Sequence, residues 1–214
     1  TVVVQSLTSA KLAQYLGIRA PAPNGYLIFG GAQFSRMFAK ELMTHDITVC
    51  LADTNWETIK LARMDGVATY FGNPMSEHAS RTLDLNGYGK VLVMSPYRQL
   101  NPLVTYHFEH EMGKGSVLGL SNNESQQRPS HQVSESYTKK LGLFADDITY
   151  GRLAAYTAKG AQIKTTGLTE NFGFDAYKEE YKERCLPLCA IDTEGRLQIY
   201  TTSSEIKPKS GWKI

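Results

Sequence analysis

The chain has 214 residues, 42% of them hydrophobic and 21% charged, with a formal net charge of +2. That composition is globular, and so small a charge excess argues against a dedicated nucleic-acid binder. No run approaches the ~18–20 uninterrupted apolar residues of a membrane span, and no signal-peptide pattern is present, so the polypeptide is expected to be soluble and cytoplasmic.

In chain order, residues 1–18 look helical in their second half, with Leu7, Leu12 and Leu16 near one face. Pro21, Pro23, Asn24 and Gly25 then make 19–25 a linker. Apolar runs at 26–29, 47–52, 67–71, 90–94 and 116–120 predict buried strands, and amphipathic stretches at 33–44, 55–65, 76–85 and 99–113 predict helices between them. Alternation of this kind, closed by right-handed crossovers, predicts an α/β fold: a Rossmann-type doubly wound parallel sheet over 26–142.

The pattern changes after residue 121. Ser121–Ser130 is polar and aperiodic, and 131–141 is a possible helix. Asp146 or Asp147 is expected to cap a helix that ends at Gly160. A strand-like run at 161–168, a helix near 174–183 and the apolar segment Leu186–Ile191 follow. Asp192-Thr193-Glu194-Gly195 is a turn signal before Leu197–Thr201. Residues 143–214 therefore form a smaller α+β unit. Cys50, Cys185 and Cys189 cannot build a disulfide framework, and the Cys185/Cys189 pair lacks the partners of a structural zinc site, so all three are expected to pack as small hydrophobes.

The chemistry concentrates where Tyr26–Phe29 runs into Gly30-Gly31-Ala32-Gln33-Phe34-Ser35 and a helix. A dinucleotide site needs a tight turn, close backbone approach to a pyrophosphate and close helix–sheet packing, and the helix N-terminus then holds the anion. Gly30 matches the first glycine of that fingerprint, while the small residues Ala32 and Ser35 stand at the second and third positions. Asp53 ends the second strand 23 positions after Gly30, near the roughly 20 expected of a ribose-binding acid. A carboxylate there favours NAD(H), or an adenosine nucleotide such as AMP or ATP, over NADP(H). Thr54 and Asn55 can cap the next helix and border the adenine side. Gly72-Asn73 and Met94-Ser95-Pro96, at the ends of the third and fourth strands, should line the crevice.

Other candidates are set aside. His107 and His110 share a helix face but have no third ligand of clear origin, so no metal is expected. No tyrosine has a lysine four residues later, and neither a nucleophile elbow nor a P-loop is present. Tyr177 and Tyr181 should pack one helix face, and Lys207, Lys209 and Lys213 give a mildly basic end. A binding fold without a proton relay, nucleophile or metal cluster points to sensing rather than turnover. A soluble NAD-dependent oxidoreductase and a ligand-free oligomerisation module are the alternatives.

The segments YLIFGGAQFSRMFAKEL, LADTN, YFGNPMSEHA and VLVMSP resemble the RCK/KTN-type (TrkA-N-like) regulatory domain of potassium channels and cation transporters. That family usually has Gly-Asp where this chain has Gly72-Asn73. Phe144–Ile214 looks like the smaller domain appended to such regulators, and TVVVQSLTSAKLAQYLGI looks like the cytoplasmic end of the last membrane helix of NhaP-like cation:proton antiporters. The resemblance implies a nucleotide-gated regulatory domain, not an enzyme, at the cytoplasmic face of the bacterial inner membrane. Its partners would be the transmembrane antiporter domain of the same polypeptide, joined through a helical stub at 1–25, and a second copy in a homodimer.

Overall fold

A computed structural model describes residues 23–121 and 142–214. The helical reading of 1–18, the start of the linker and the helix at 131–141 fall outside the described residues.

Five short strands make one parallel sheet: β1 (Gly25–Phe29), β2 (Val49–Asp53), β3 (Ala68–Phe71), β4 (Tyr88–Val93) and β5 (Val117–Gly119). Their spatial order is β3-β2-β1-β4-β5, the Rossmann-like, doubly wound arrangement. The chain reverses direction across the sheet between β1 and β4, so a crevice opens at their carboxyl ends. Helices α1 (Gln33–Met43), α2 (Trp56–Met64), α3 (Glu77–Thr82) and α4 (Leu100–Met112) connect the strands.

The two-residue period of each strand divides the core. Ile28, Leu51 and Leu92 face α1 and α2 through Phe38, Leu42 and Ile59, whereas Leu27, Phe29 and Val91 face α3 and α4 through Ala79, Val104 and Phe108. Both faces are covered, which is why β1, β2 and β4 read as nearly continuous apolar runs.

The C-terminal part holds α5 (Tyr150–Ala158), α6 (Phe174–Tyr181) and an antiparallel hairpin of β6 (Cys189–Ile191) and β7 (Leu197–Ile199). Its apolar residues Leu143, Phe144, Ile148, Leu153 and Ile191 join the cluster on the α1 face. Phe144 sets its edge against Phe34 and Phe38, at 5.9 and 5.7 Å between ring centres.

Two expectations for this part are corrected. Thr149, not Asp146 or Asp147, caps α5 by accepting the Arg152 amide at 3.3 Å, while Asp147 pairs with the Arg152 guanidinium. Residues 161–168 do not form a strand in either sheet. They are mostly exposed and pair instead with the last residues, through Thr166 and Ile214 at 2.7 and 2.9 Å and the Leu168 amide to the Trp212 carbonyl at 2.8 Å. No helix among the described residues is long and apolar enough to cross a membrane.

Candidate functional site

The loop after β1 is fixed by five contacts. The Gly30 amide donates to the Ala52 carbonyl at 2.9 Å, and the Met94 amide to the Phe29 carbonyl at 2.8 Å, so strands β2 and β4 flank the turn. Gly30 has φ +114°, and a Cβ there would lie 2.7 Å from both the Met94 carbonyl oxygen and the Ser95 Cα. Glycine is required at this position both by its backbone angle and by the closeness of β4. The Gly31 amide donates to Asp53 Oδ2 at 2.5 Å, and Arg36 donates from its guanidinium to the Gly31 carbonyl at 3.2 Å. The Arg36 amide donates to the Ala32 carbonyl at 3.0 Å and begins α1.

The N-terminus of α1 is open. Ala32 occupies the N-cap and provides no side-chain acceptor, and the first turn carries no acidic residue. By contrast, Asn55 caps α2 through the Glu57 amide at 2.9 Å and Ser76 caps α3 through the Ala79 amide at 3.1 Å. The first amides of α1 therefore keep their donor capacity and the positive end of the helix dipole. Ser35, in the same turn, is 1% exposed, and its hydroxyl has no hydrogen-bond partner among the described residues.

Asp53 stands at the crevice but is 2% exposed. Besides the Gly31 amide it accepts the Asn55 amide at 2.8 Å and the Tyr97 phenol at 2.9 Å, both on Oδ1. Tyr97 reaches across from the loop after β4, with its ring 6.1 Å from Phe29. Burial first, and then the Asp53 carboxyl, hold its phenol above the ordinary range, partly offset by the Thr54 hydroxyl. Tyr150, the first residue of α5, is raised in the same way by burial and by Asp53. The Tyr97 phenol thus covers the carboxyl that sequence spacing assigns to a ribose, and the Tyr150 phenol lies near enough to feel its charge.

The predicted site residues separate into groups. Gly30, Gly31, Ala32, Asp53 and Thr54 come together at the ends of β1 and β2, and Gln33 is exposed at the start of α1. The Phe34 side chain turns away, stacking on Phe38 at 6.2 Å and meeting Phe144, so only its backbone belongs to the crevice. Asn55 is the α2 cap. Gly72 donates its amide to the Asp53 carbonyl at 2.9 Å, while the Asn73 side chain closes its own turn on the Met75 amide at 3.0 Å. Met94 and Ser95 are buried at the switch point, and Ser95 Oγ is hydrogen-bonded to Asn101 at the start of α4. Pro96 is exposed beside them.

Sequence reasoning missed Tyr97, Tyr150 and Arg36, and it placed Gly31 in the nucleotide-binding turn without the packing role it also has. A Cβ on Gly31 would meet Thr58 Oγ1 at 2.8 Å and Leu51 Cδ2 at 3.0 Å, so this glycine permits the close approach of α2. Its neighbour Gly30 already signalled a tight turn. Nothing in the spacing announced the two tyrosines.

No family model and no curated protein matches this chain. Solved structures similar to it include the following two. The NAD(P)-binding domain of an exopolyphosphatase-related protein from Archaeoglobus fulgidus is 17% identical, covering 63% of this chain and 95% of that one, with a TM-score of 0.43. A Bacillus halodurans protein provisionally described as an NAD-dependent epimerase/dehydratase is 13% identical, covering 54% and 60%, with a TM-score of 0.36. Likeness at that level transfers no role to this chain. The Rossmann-like fold rests on strand order and register.

Proposed function

We propose that this chain binds NAD(H) in the crevice between β1 and β4 and serves as a regulatory unit rather than an enzyme. The observation that carries the reading is the open N-terminus of α1 beneath the Gly30–Ala32 turn, with Asp53 in register at the end of β2. A pyrophosphate would be held by the first amides of α1, where the small side chain of Ala32 leaves room. A ribose hydroxyl would donate to Asp53 Oδ1 in place of the Tyr97 phenol. The cofactor could supply hydride chemistry when bound, but the residues of this crevice offer binding and orientation, and the reading assigns them nothing further.

The wider context is part of the same proposal. The sequence resemblance supports a gating unit on the cytoplasmic side of a Na⁺(K⁺)/H⁺ antiporter, acting as a dimer. A nucleotide could gate only by binding two arrangements of that dimer unequally, each tenfold difference supplying about 1.4 kcal/mol.

Paired titrations with NADH and NADPH test the site. The Asp53 carboxyl should repel a 2′-phosphate, so NADH is expected to bind and NADPH to bind at least about tenfold more weakly. Equal affinities, or no heat with either, would overturn the assignment.

A further inference from the structure

A cavity distinct from the crevice residues lies against α1. It encloses about 730 Å³ between α1 and the C-terminal unit, inside the roughly 300–1,000 Å³ typical of small-molecule sites. Phe34, Phe38, Leu42, Leu153 and Leu188 give it an apolar wall.

The charges on its rim are not balanced. Arg152 is committed to Asp147 and to the Tyr156 hydroxyl at 2.7 Å, and Arg184 to the Glu180 carbonyl. Glu41 accepts the Thr165 hydroxyl at 2.5 Å. Thr165 Oγ lies 3.0 Å from His45 Nε2, and Lys213 Nζ lies 3.5 Å from His45 Nδ1. These contacts share one direction: the Lys213 ammonium donates to the imidazole, the imidazole N–H to Thr165, and Thr165 to Glu41. The Lys213 ammonium, with three N–H donors and this one contact among the described residues, therefore has donors to spare. Lys164, on the same wall, has no ion pair or hydrogen bond among the described residues. Apart from Asp147, already paired with Arg152, the wall carries one carboxylate side chain, Glu41, 3.8 Å from His45 Nε2. Lys164 and Lys213 therefore leave a positive excess beside apolar side chains, which selects for an anion with an apolar body.

We propose that this cavity binds a small amphipathic carboxylate, its head at Lys164 and Lys213 and its aliphatic body on Phe38, Leu153 and Leu188. A polyphosphate fits less well, because both arginines are already engaged and much of the wall is apolar. The inference is independent of nucleotide binding.

Calorimetric titration of the full chain with sodium decanoate tests it, with decylammonium chloride as a probe of equal apolar body and opposite charge. Decanoate should bind with Kd below about 1 mM and decylammonium should not. Reversing both exposed lysines, Lys164→Glu with Lys213→Glu, should weaken decanoate about tenfold or more. Leu153→Trp should fill the cavity and abolish binding; should that variant not fold, the lysine pair still decides. Binding of both probes alike, or decanoate binding unchanged by the lysine reversal, would overturn the proposal. Decanoate binding should persist in Asp53→Asn and in saturating NADH, which separates its failure from failure of the crevice assignment.

Discussion

Replacing Tyr97 with phenylalanine removes a single hydroxyl and leaves the ring on Phe29, 6.1 Å away. That hydroxyl donates to Asp53 Oδ1 at 2.9 Å, while the amides of Gly31 and Asn55 occupy the rest of the carboxyl. A ribose can reach Asp53 only by displacing the phenol, so the phenol competes with ligand. A hydrogen bond to a charged acceptor is worth about 1.5–3 kcal/mol. The Tyr97 ring is half-exposed and Thr54 is a second partner for its hydroxyl, which places the effect at the lower end. About 1.4 kcal/mol is a tenfold change, so Tyr97→Phe should bind NADH about tenfold more tightly. Calorimetry on both proteins measures this, and their denaturant midpoints check that the fold persists. Unchanged or weaker binding would refute the competition, because a phenol that supported the ligand would be missed on its removal.

Gly30→Ala should cost at least about 3 kcal/mol, combining strain at positive φ with a Cβ driven into Met94 and Ser95, and the denaturant midpoint should fall accordingly. Asn55→Ala should cost about 1 kcal/mol by uncapping α2. Phe144→Ala, which removes the ring held against Phe34 and Phe38, should cost about 3–5 kcal/mol and raise amide exchange across 142–214. Burial lifts the Cys50 thiol from 9.0 to about 11, the Cys189 thiol from 9.0 to about 12 and the Tyr26 phenol from 10.0 to about 12. Folded values above the unfolded ones stabilise fully below about pH 9 and are lost as pH rises through the folded values, so Tm should fall steeply between about pH 9 and 12. A flat Tm across that window would contradict the burial of these groups.

The sheet was legible because strands buried on both faces are continuous apolar runs, and the predicted runs at 26–29 and 90–94 lie close to β1 and β4. The hairpin of β6 and β7 was legible from its turn, where Asp192 Oδ1 accepts the Glu194 and Arg196 amides, each at 2.9 Å. Residues 161–168 misled because alternation predicts a strand without saying whether a sheet edge is there to receive it. Thr149 lost to its aspartate neighbours for a related reason: all three residue types cap helices, and only the chain path chooses among them. At the site, Gly30 and Asp53 were readable because turn geometry and spacing are local. Tyr97 reaches Asp53 across the fold, and no local pattern encodes such a contact.

Ala32→Asp sets helix capping against anion binding at the α1 N-terminus. Ala32 is the N-cap of α1 with φ −58° and ψ 164°, and an aspartate there would supply the cap that α1 lacks. Two measurements should move in opposite directions: stability rises by about 0.5–2 kcal/mol, and NADH binding is lost because a carboxylate now occupies the anion site. A variant that gains stability and still binds NADH as the parent does would show that the ligand is not held at α1.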